Sequence, residues 1–360
     1  MTTRKFMHVT LFTAVAGLAL GITATTAPAA FTGWKGGVAT DGDLWSAADN
    51  WTAFAAKVPD FNDIARFESR MVVNTIDVQQ NIFAGEIFQN GGGSVTIGLA
   101  GNPSNATLTI GNSLGVRWQT GSNLTFNVDV AVDDADQLWE FNAAAPDLTL
   151  NGTLDLGNNT LTVRQDTNSS MDMQFNDVIS GSGNLALRTN GTVLNADARL
   201  FADNTYTGTT TVGDGVSLRL QGGSLANSNI TIGDGADSDN PGILLGVDGD
   251  EGTLNYNIVN NNADLIQLAA SNAQLRIDDL NIDFNVTGPL TQSKYIIADY
   301  GTGTLVGTEF NSVIDLPADS KIDYAFNNGT QIALIVPEPA SLAMGLVGFG
   351  ALALRRRRRN

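Results

Sequence analysis

The chain contains no cysteine and a single histidine, His8, among its 360 residues. Without cysteine there are no disulfides, no thiolate nucleophiles and no cysteine-rich zinc sites. Positive charge is also scarce: 19 Lys and Arg face 37 Asp and Glu, for a net charge of −18. Such a balance argues against nucleic acid as a partner, because its phosphates would be repelled. Charged residues make up only 16% and hydrophobic residues 42%, which is too apolar for a disordered acidic tail. Proline is sparse at 9 and glycine plentiful at 39. Gly, Asn, Thr and Asp fall in short runs, which favours many turns and short strands over long helices. The length suits one or two domains, and a long all-β chain can be one.

The ends differ from the body. Arg4 and Lys5 precede a mostly apolar stretch, Val9 to Ile22. Small residues then stand at Ala27 and Ala29, where a signal peptidase reads. This predicts residues 1–29 as a secretory signal peptide, passed through the Sec translocon and cut after Ala29, so that His8 is lost. An uncleaved membrane anchor is the competing reading. At the other end Pro337-Glu338-Pro339 precedes a charge-free run, Leu342 to Leu354, and then Arg355, Arg356, Arg357, Arg358 and Arg359. Counted from Ala340, that run is roughly 22 Å long as a helix, against a hydrocarbon core of about 30 Å. A single transmembrane helix over 340–354 is therefore short, and needs snorkelling arginines or local thinning to span. The arginines should stay cytoplasmic, leaving the body outside. Setting aside these seven terminal cations and Glu338 leaves 12 basic against 36 acidic residues between Phe31 and Val336, a balance of about −24. Divalent cations or basic polymers are natural counter-ions for such a body.

The order Pro-Glu-Pro, short apolar helix and terminal arginine cluster resembles the PEP-CTERM sorting signal of Gram-negative bacteria. The resemblance covers Pro337 to Asn360 and implies that an exosortase-type membrane peptidase reads Pro337, Glu338 and Pro339. It further implies export across the inner membrane and anchoring by the tail before processing. Release to the cell surface or extracellular matrix would follow, in an exopolysaccharide-rich, biofilm setting.

Between the ends a short strand-and-turn unit recurs. Thr96-Ile97-Gly98, Thr109-Ile110-Gly111 and Thr231-Ile232-Gly233 are one tripeptide, and Thr211-Val212-Gly213 is a near copy. Leu148-Thr149-Leu150 and Thr160-Leu161-Thr162-Val163 alternate with period 2, one face inward and one in solvent. Irregular repeats of roughly 13 to 20 residues suit a parallel β-solenoid, whose stacked strands bury a continuous apolar column. A β-sandwich shares the turn spacing and competes with it. The segment Ser180-Gly181-Ser182-Gly183-Asn184-Leu185, then Asn204-Thr205-Tyr206-Thr207-Gly208-Thr209, then Val216-Ser217-Leu218, resembles the autotransporter-associated β-strand repeat. That resemblance, near 180–220, implies a right-handed parallel β-helix of a bacterial surface protein. The lysine-rich middle of the family pattern is missing. Tyr206 is expected to cap a coil end, and Gly208 to hold a corner conformation closed to other residues.

Trp34, Trp45 and Trp51 cluster before the repeats. They are candidates for stacking on sugar rings, or for plugging the open end of the solenoid. Residues 30–90 are thus expected as an N-terminal β cap and 91–250 as the solenoid. Five longer strands in 251–336 are expected as a C-terminal β cap, followed by the sorting signal in 337–360.

Once the signal peptide is gone, no Ser-His-Asp triad, Cys-His pair or His-Glu-x-x-His zinc site is left. Asp133, Asp134 and Asp136 form a dense acidic group, but nothing marks a split carboxylate pair. Asp234 to Asp239 and Asp248 to Glu251 place hard oxygen ligands in turns without matching an EF-hand. No catalytic residue, metal ligand or cofactor is assigned. The sequence reads as an exported, non-enzymatic structural or adhesive surface protein. A secreted protein that binds or degrades polysaccharide is the alternative, with exopolysaccharide as its partner.

Overall fold

The computed structural model describes residues 31–34, 44–52, 57–68, 75–91, 93–99, 106–133, 135–143, 146–167, 170–190, 196–226, 229–233, 242–246 and 252–337. The expected signal peptide, the apolar run 340–354 and Arg355 to Arg359 lie outside them. Among the described residues helix is confined to Ala48–Asn50 and Phe326–Gly329, and no helix is long and apolar enough to cross a membrane.

Strands are short because polar corners interrupt them every few residues, and the chain turns at each corner onto a new face. Leu154–Asp155, Thr160–Gln165 and Met171–Phe175 make one turn on three faces. Ile179–Ser180, Asn184–Thr189 and Ala196–Leu200 make the next. The turns pair in parallel, Leu154 against Ile179, Leu161 against Leu185 and Met171 against Ala196. Continued along the chain, this pairing builds a 14-stranded and a 10-stranded sheet, with a 5-stranded and then a 6-stranded sheet on the third face. The protein is an all-β β-solenoid, and the parallel ladders exclude the antiparallel sandwich.

Alternation selects the inward residues. In Thr160–Gln165 the side chains of Leu161, Val163 and Gln165 are buried, while Thr160, Thr162 and Arg164 are only partly so. Parallel register then stacks like on like, so Ala65, Ile87, Val116, Trp139, Val163, Leu187, Val212, Ile232 and Leu268 form one column. Each aliphatic residue buried there contributes about 1.5–3 kcal/mol relative to exposure. Corners are tied the same way. Asn151 Nδ2 donates to Asn127 Oδ1 and Asn176 Nδ2 donates to Asn151 Oδ1, both at 2.7 Å.

The repeat length corrects the sequence reading. Equivalent residues lie 24 or 25 apart through the middle of the stack, 20 apart at Thr210 and Ile230, and 36 apart at Asn229 and Leu265. Spacings near 13 are corner-to-corner steps within one turn. Thr96-Ile97 belongs to the 10-stranded sheet and Thr109-Ile110 to the 5-stranded one. Only Thr211-Val212 and Thr231-Ile232 stack directly, one turn apart.

The stack also outruns the boundaries expected for separate caps. Phe31–Trp34, Ile64–Phe67 and Glu86–Gln89 already pair in parallel as strands of the 14-stranded sheet. Parallel pairing continues beyond 250, through Leu280–Thr287, to Thr304–Val306 and Ser312–Ile314. Gln331–Ile335 departs, running antiparallel between Lys294–Asp299 and Lys321–Ala325, as does Asn262–Ala263, which pairs antiparallel with Gly252–Val259.

Candidate functional site

The described chain ends where the Pro337-Glu338-Pro339 segment begins. Ile335 pairs with both Lys294 and Lys321, and Val336 donates its backbone N–H to Ser293 O at 2.9 Å. Val336 packs on the core, and Pro337 is exposed. Among the described residues Val336, two before Glu338, is the last one bonded into the sheet. Beside this exit a cleft of about 380 Å³ is lined by Asn261, Asp264, Gln292, Lys294 and Tyr295, among others. Tyr295 donates its hydroxyl to Asn261 Oδ1 at 2.5 Å, and Asp264 Oδ2 accepts the N–H of Asn257 at 2.9 Å.

The tryptophans are brought together, but inward. Trp34 is 3% exposed, and Trp45 and Trp51 are 0% exposed. Their rings meet edge to face, Trp34 to Trp51 at 4.9 Å and Trp45 to Trp51 at 4.8 Å, with Phe67 6.2 Å from Trp51. Trp51 Nε1 donates to Trp45 O at 2.7 Å. A sugar stacks on an exposed ring face, and these rings offer none.

A partly exposed aromatic–cation face, with Phe88 buried beneath its arginines, lies elsewhere, and the sequence reading missed it. On the outside of the 14-stranded sheet Arg66, Phe88, Arg117, Glu140, Arg164 and Arg188 are stacked one turn apart. Four of the twelve cations between Phe31 and Val336 thus share one ladder. Arg66 lies 5.6 Å from the centres of both the Phe31 and Phe88 rings, and Arg117 lies 4.3 Å from that of Phe88. Phe31 is 48% exposed. The missed signal was the spacing of Arg117, Glu140, Arg164 and Arg188, which matches one turn of the stack.

Arg66, Arg117 and Arg164 have carboxylate partners. Arg66 pairs with Glu68 at 2.7 Å and Arg117 with Glu86 at 2.9 Å. Arg164 pairs with Glu140 at 2.7 Å and with Asp166 at 2.6 Å. Burial pushes the Glu86 carboxyl up from its ordinary value, against the opposing charge of Arg117. Hydrogen bonding to Asp166 pushes Glu140 up, burial adds to this, and Arg164 opposes it. Glu140 and Asp166 approach a paired-carboxylate arrangement, but both are held by the same guanidinium. The acidic group at 133–136 is dispersed by comparison. Asp136 Oδ1 accepts the N–H of Thr160 on the next turn, and Asp134 lies outside the described residues. The aspartate-rich segments 234–239 and 248–251 also lie outside them. Among the described residues no cluster of three His, Cys, Asp or Glu is arranged to hold a metal ion.

The segment near 180–220 does its work inside the stack. Asn204 is buried, with its Oδ1 accepting Ile179 N–H at 2.8 Å and its Nδ2 donating to Ser224 O at 3.1 Å. Tyr206 lies in the core rather than capping a coil end, its hydroxyl 2.6 Å from Thr210 Oγ1. Burial pushes its phenol up to about 12. Gly208 is required by close approach, not by backbone conformation: a Cβ there would overlap the carbonyl of Gly183 on the preceding turn.

Comparison with known proteins matches residues 336–359 to the PEP-CTERM protein-sorting motif. No curated protein and no solved structure matches the chain. The motif begins on Val336, the residue hydrogen-bonded to Ser293, so the chain is a β-solenoid with an exosortase sorting signal joined directly to its last strand.

Proposed function

We propose that this protein is an exported, non-enzymatic structural or adhesive component of a Gram-negative cell surface or extracellular matrix. Residues 1–29 direct it through the Sec translocon and are removed by signal peptidase after Ala29. The tail holds it in the inner membrane through 340–354 until an exosortase-type peptidase reads Pro337, Glu338 and Pro339. The body is a right-handed parallel β-helix, the hand that crossover connections favour. We also retain the autotransporter-associated repeat, on Asn204, Tyr206 and Gly208.

One observation carries the reading: the whole described fold lies before a sorting motif that starts where the last strand ends. The test is mass spectrometry of the mature C-terminus in the native host. A terminus within or near Pro337–Pro339, lost in Glu338→Ala, is expected. Recovery of an intact Arg355–Asn360 end from mature protein would overturn processing.

A carbohydrate-binding role is the second reading, and the Phe31, Arg66, Phe88 and Arg117 face favours it. Arginine over an aromatic ring beside an exposed phenyl suits a sugar bearing a carboxylate. Binding of purified protein to the producer's exopolysaccharide should then fall in Phe31→Ala with the fold retained. Release of a new reducing end or unsaturated sugar would instead reveal an enzyme.

A further inference from the structure

The solenoid is closed unequally at its C-terminal end. The 14-stranded sheet is finished by the antiparallel strands Gln331–Ile335 and Lys321–Ala325, but the other two faces simply stop at Thr304–Val306 and Ser312–Ile314. Val313 continues the inward column of Leu225, Leu254 and Ile282, all fully buried, yet is itself 38% exposed because no turn lies above it. Ile314 is 38% and Leu316 39% exposed. Leu305, last in the column of Leu244 and Leu275, is likewise only half-buried. An uncovered end of a solenoid core needs a cover.

The chain leaves from this same end. Lys321 follows the turn that carries Leu316 and pairs with Ile335, and Val336 is the last residue bonded into the sheet. Only Pro337, Glu338 and Pro339 separate Val336 from the apolar run beginning at Ala340. Fully extended, three residues reach roughly 10 Å. Any bilayer holding that run therefore begins within roughly 10–14 Å of Val336, at the same end of the stack as the uncovered rung, and the tether makes contact effectively intramolecular. Exposed Lys294 and Lys321 flank the exit, where lipid phosphates would meet them.

We infer that the uncovered C-terminal rung, through Val313, Ile314 and Leu316, docks on the lipid surface of the membrane that holds the tail, so the precursor stands end-on with its last turn in the headgroup region. This rests on the sorting reading of the tail. Docking would present Pro337–Pro339 at a fixed height for a membrane-embedded peptidase, and processing would free the end.

The absence of cysteine makes the test clean, because single cysteines can carry a fluorophore at chosen sites. Full-length precursor in phosphatidylcholine nanodiscs would be labelled at Ile314→Cys, Leu316→Cys, Gly345→Cys, or Phe83→Cys. Phe83 is 46% exposed on the first strand of the 5-stranded sheet, at the opposite end of the stack. Labels at 314 and 316 should lose most of their emission to a nitroxide lipid at headgroup depth, while the label at 83 keeps its own. If 345 is quenched but 314 and 316 stay open to iodide in water, docking is overturned and the tail reading stands. If 345 is not quenched either, both fall. Shielding of 314 and 316 from iodide without quenching by lipid would assign the face to a second copy and overturn the membrane as its partner.

Discussion

Asn204 Oδ1 accepts the backbone N–H of Ile179 at 2.8 Å across one turn, at the point where the 5-stranded sheet ends and the 6-stranded sheet begins. Its Nδ2 also donates to Ala202 O and Ser224 O. One side chain thus serves three backbone groups where the third face loses its ladder. Asn204→Ala removes all three partners. At about 1–3 kcal/mol for each buried group left unpaired, it should cost at least about 3 kcal/mol. Asn204→Asp keeps the acceptor but loses both donors, and should also destabilise. The midpoint of urea unfolding reads both.

Gly208 and Gly329 separate space from conformation. A Cβ on Gly208 would overlap the Gly183 carbonyl, although its backbone is ordinary. Gly329 has φ +78 and nothing within 4 Å of its Cβ position. Gly208→Ala must push two turns apart and should cost about 3 kcal/mol or more, the upper end of overpacking penalties. Gly329→Ala should cost about 1–2 kcal/mol from backbone conformation alone. Equal effects on thermal unfolding would contradict this account.

Two raised glutamates set a pH dependence. Glu86 and Glu140 bind protons more tightly folded than unfolded, since both are raised from 4.5. A raised carboxylate favours the folded state while protonated, so its contribution fades as pH climbs from the unfolded value through the folded one. Melting temperature should therefore fall as pH rises from about 4.5 toward 7. Glu140→Gln, which cannot ionise, should flatten that slope. An unchanged slope in the variant would count against the Glu140–Asp166 interaction as its source.

Local alternation was enough to tell which side chains point inward. Leu161 and Val163 are buried with Thr162 between them on the outer face, as their period of 2 requires. The twenty-residue recurrence of Val212-Gly213 and Ile232-Gly233 was a true turn of the stack. The identity of each face was not legible. Thr96-Ile97-Gly98 and Thr109-Ile110-Gly111 are locally identical, yet lie on different sheets because turn length, not strand sequence, decides where a strand lands. The same reason hid the Arg66–Arg188 ladder, whose members become neighbours only once every intervening turn has been measured. Gly208 was legible as indispensable but not why, since close approach to Gly183 is a relationship between turns. For the C-terminal end, the strands were legible, but their parallel pairing was not, so a continuing solenoid read as a cap.

The last prediction concerns charge. Asp147, Asp172 and Asp197 stack on successive turns of the 10-stranded sheet, a column of like charges about 5 Å apart. Asp172 and Asp197 find counter-charges in the next column, while Asp147 accepts from Asn123 Nδ2 at 3.1 Å. Arg199 lies 2.8 Å from Asp197 and 3.7 Å from Asp172, and Arg219 lies 2.6 Å from Asp197. In a body of about −24 no surplus of cations can replace them. Arg199→Ala should leave Asp172 beside Asp197 with Arg219 alone to offset the pair, a repulsion of at most about 1 to 3 kcal/mol. The loss should be greatest in low salt and shrink as salt screens the pair. Millimolar magnesium should recover more of the variant's melting temperature than of the wild type's, because the vacated position lies between two carboxylates. The comparison is thermal unfolding of both proteins with and without magnesium at constant ionic strength. Equal gains in the two would mean that magnesium acts on the diffuse charge of the body, and that the aspartate column is not where repulsion is concentrated.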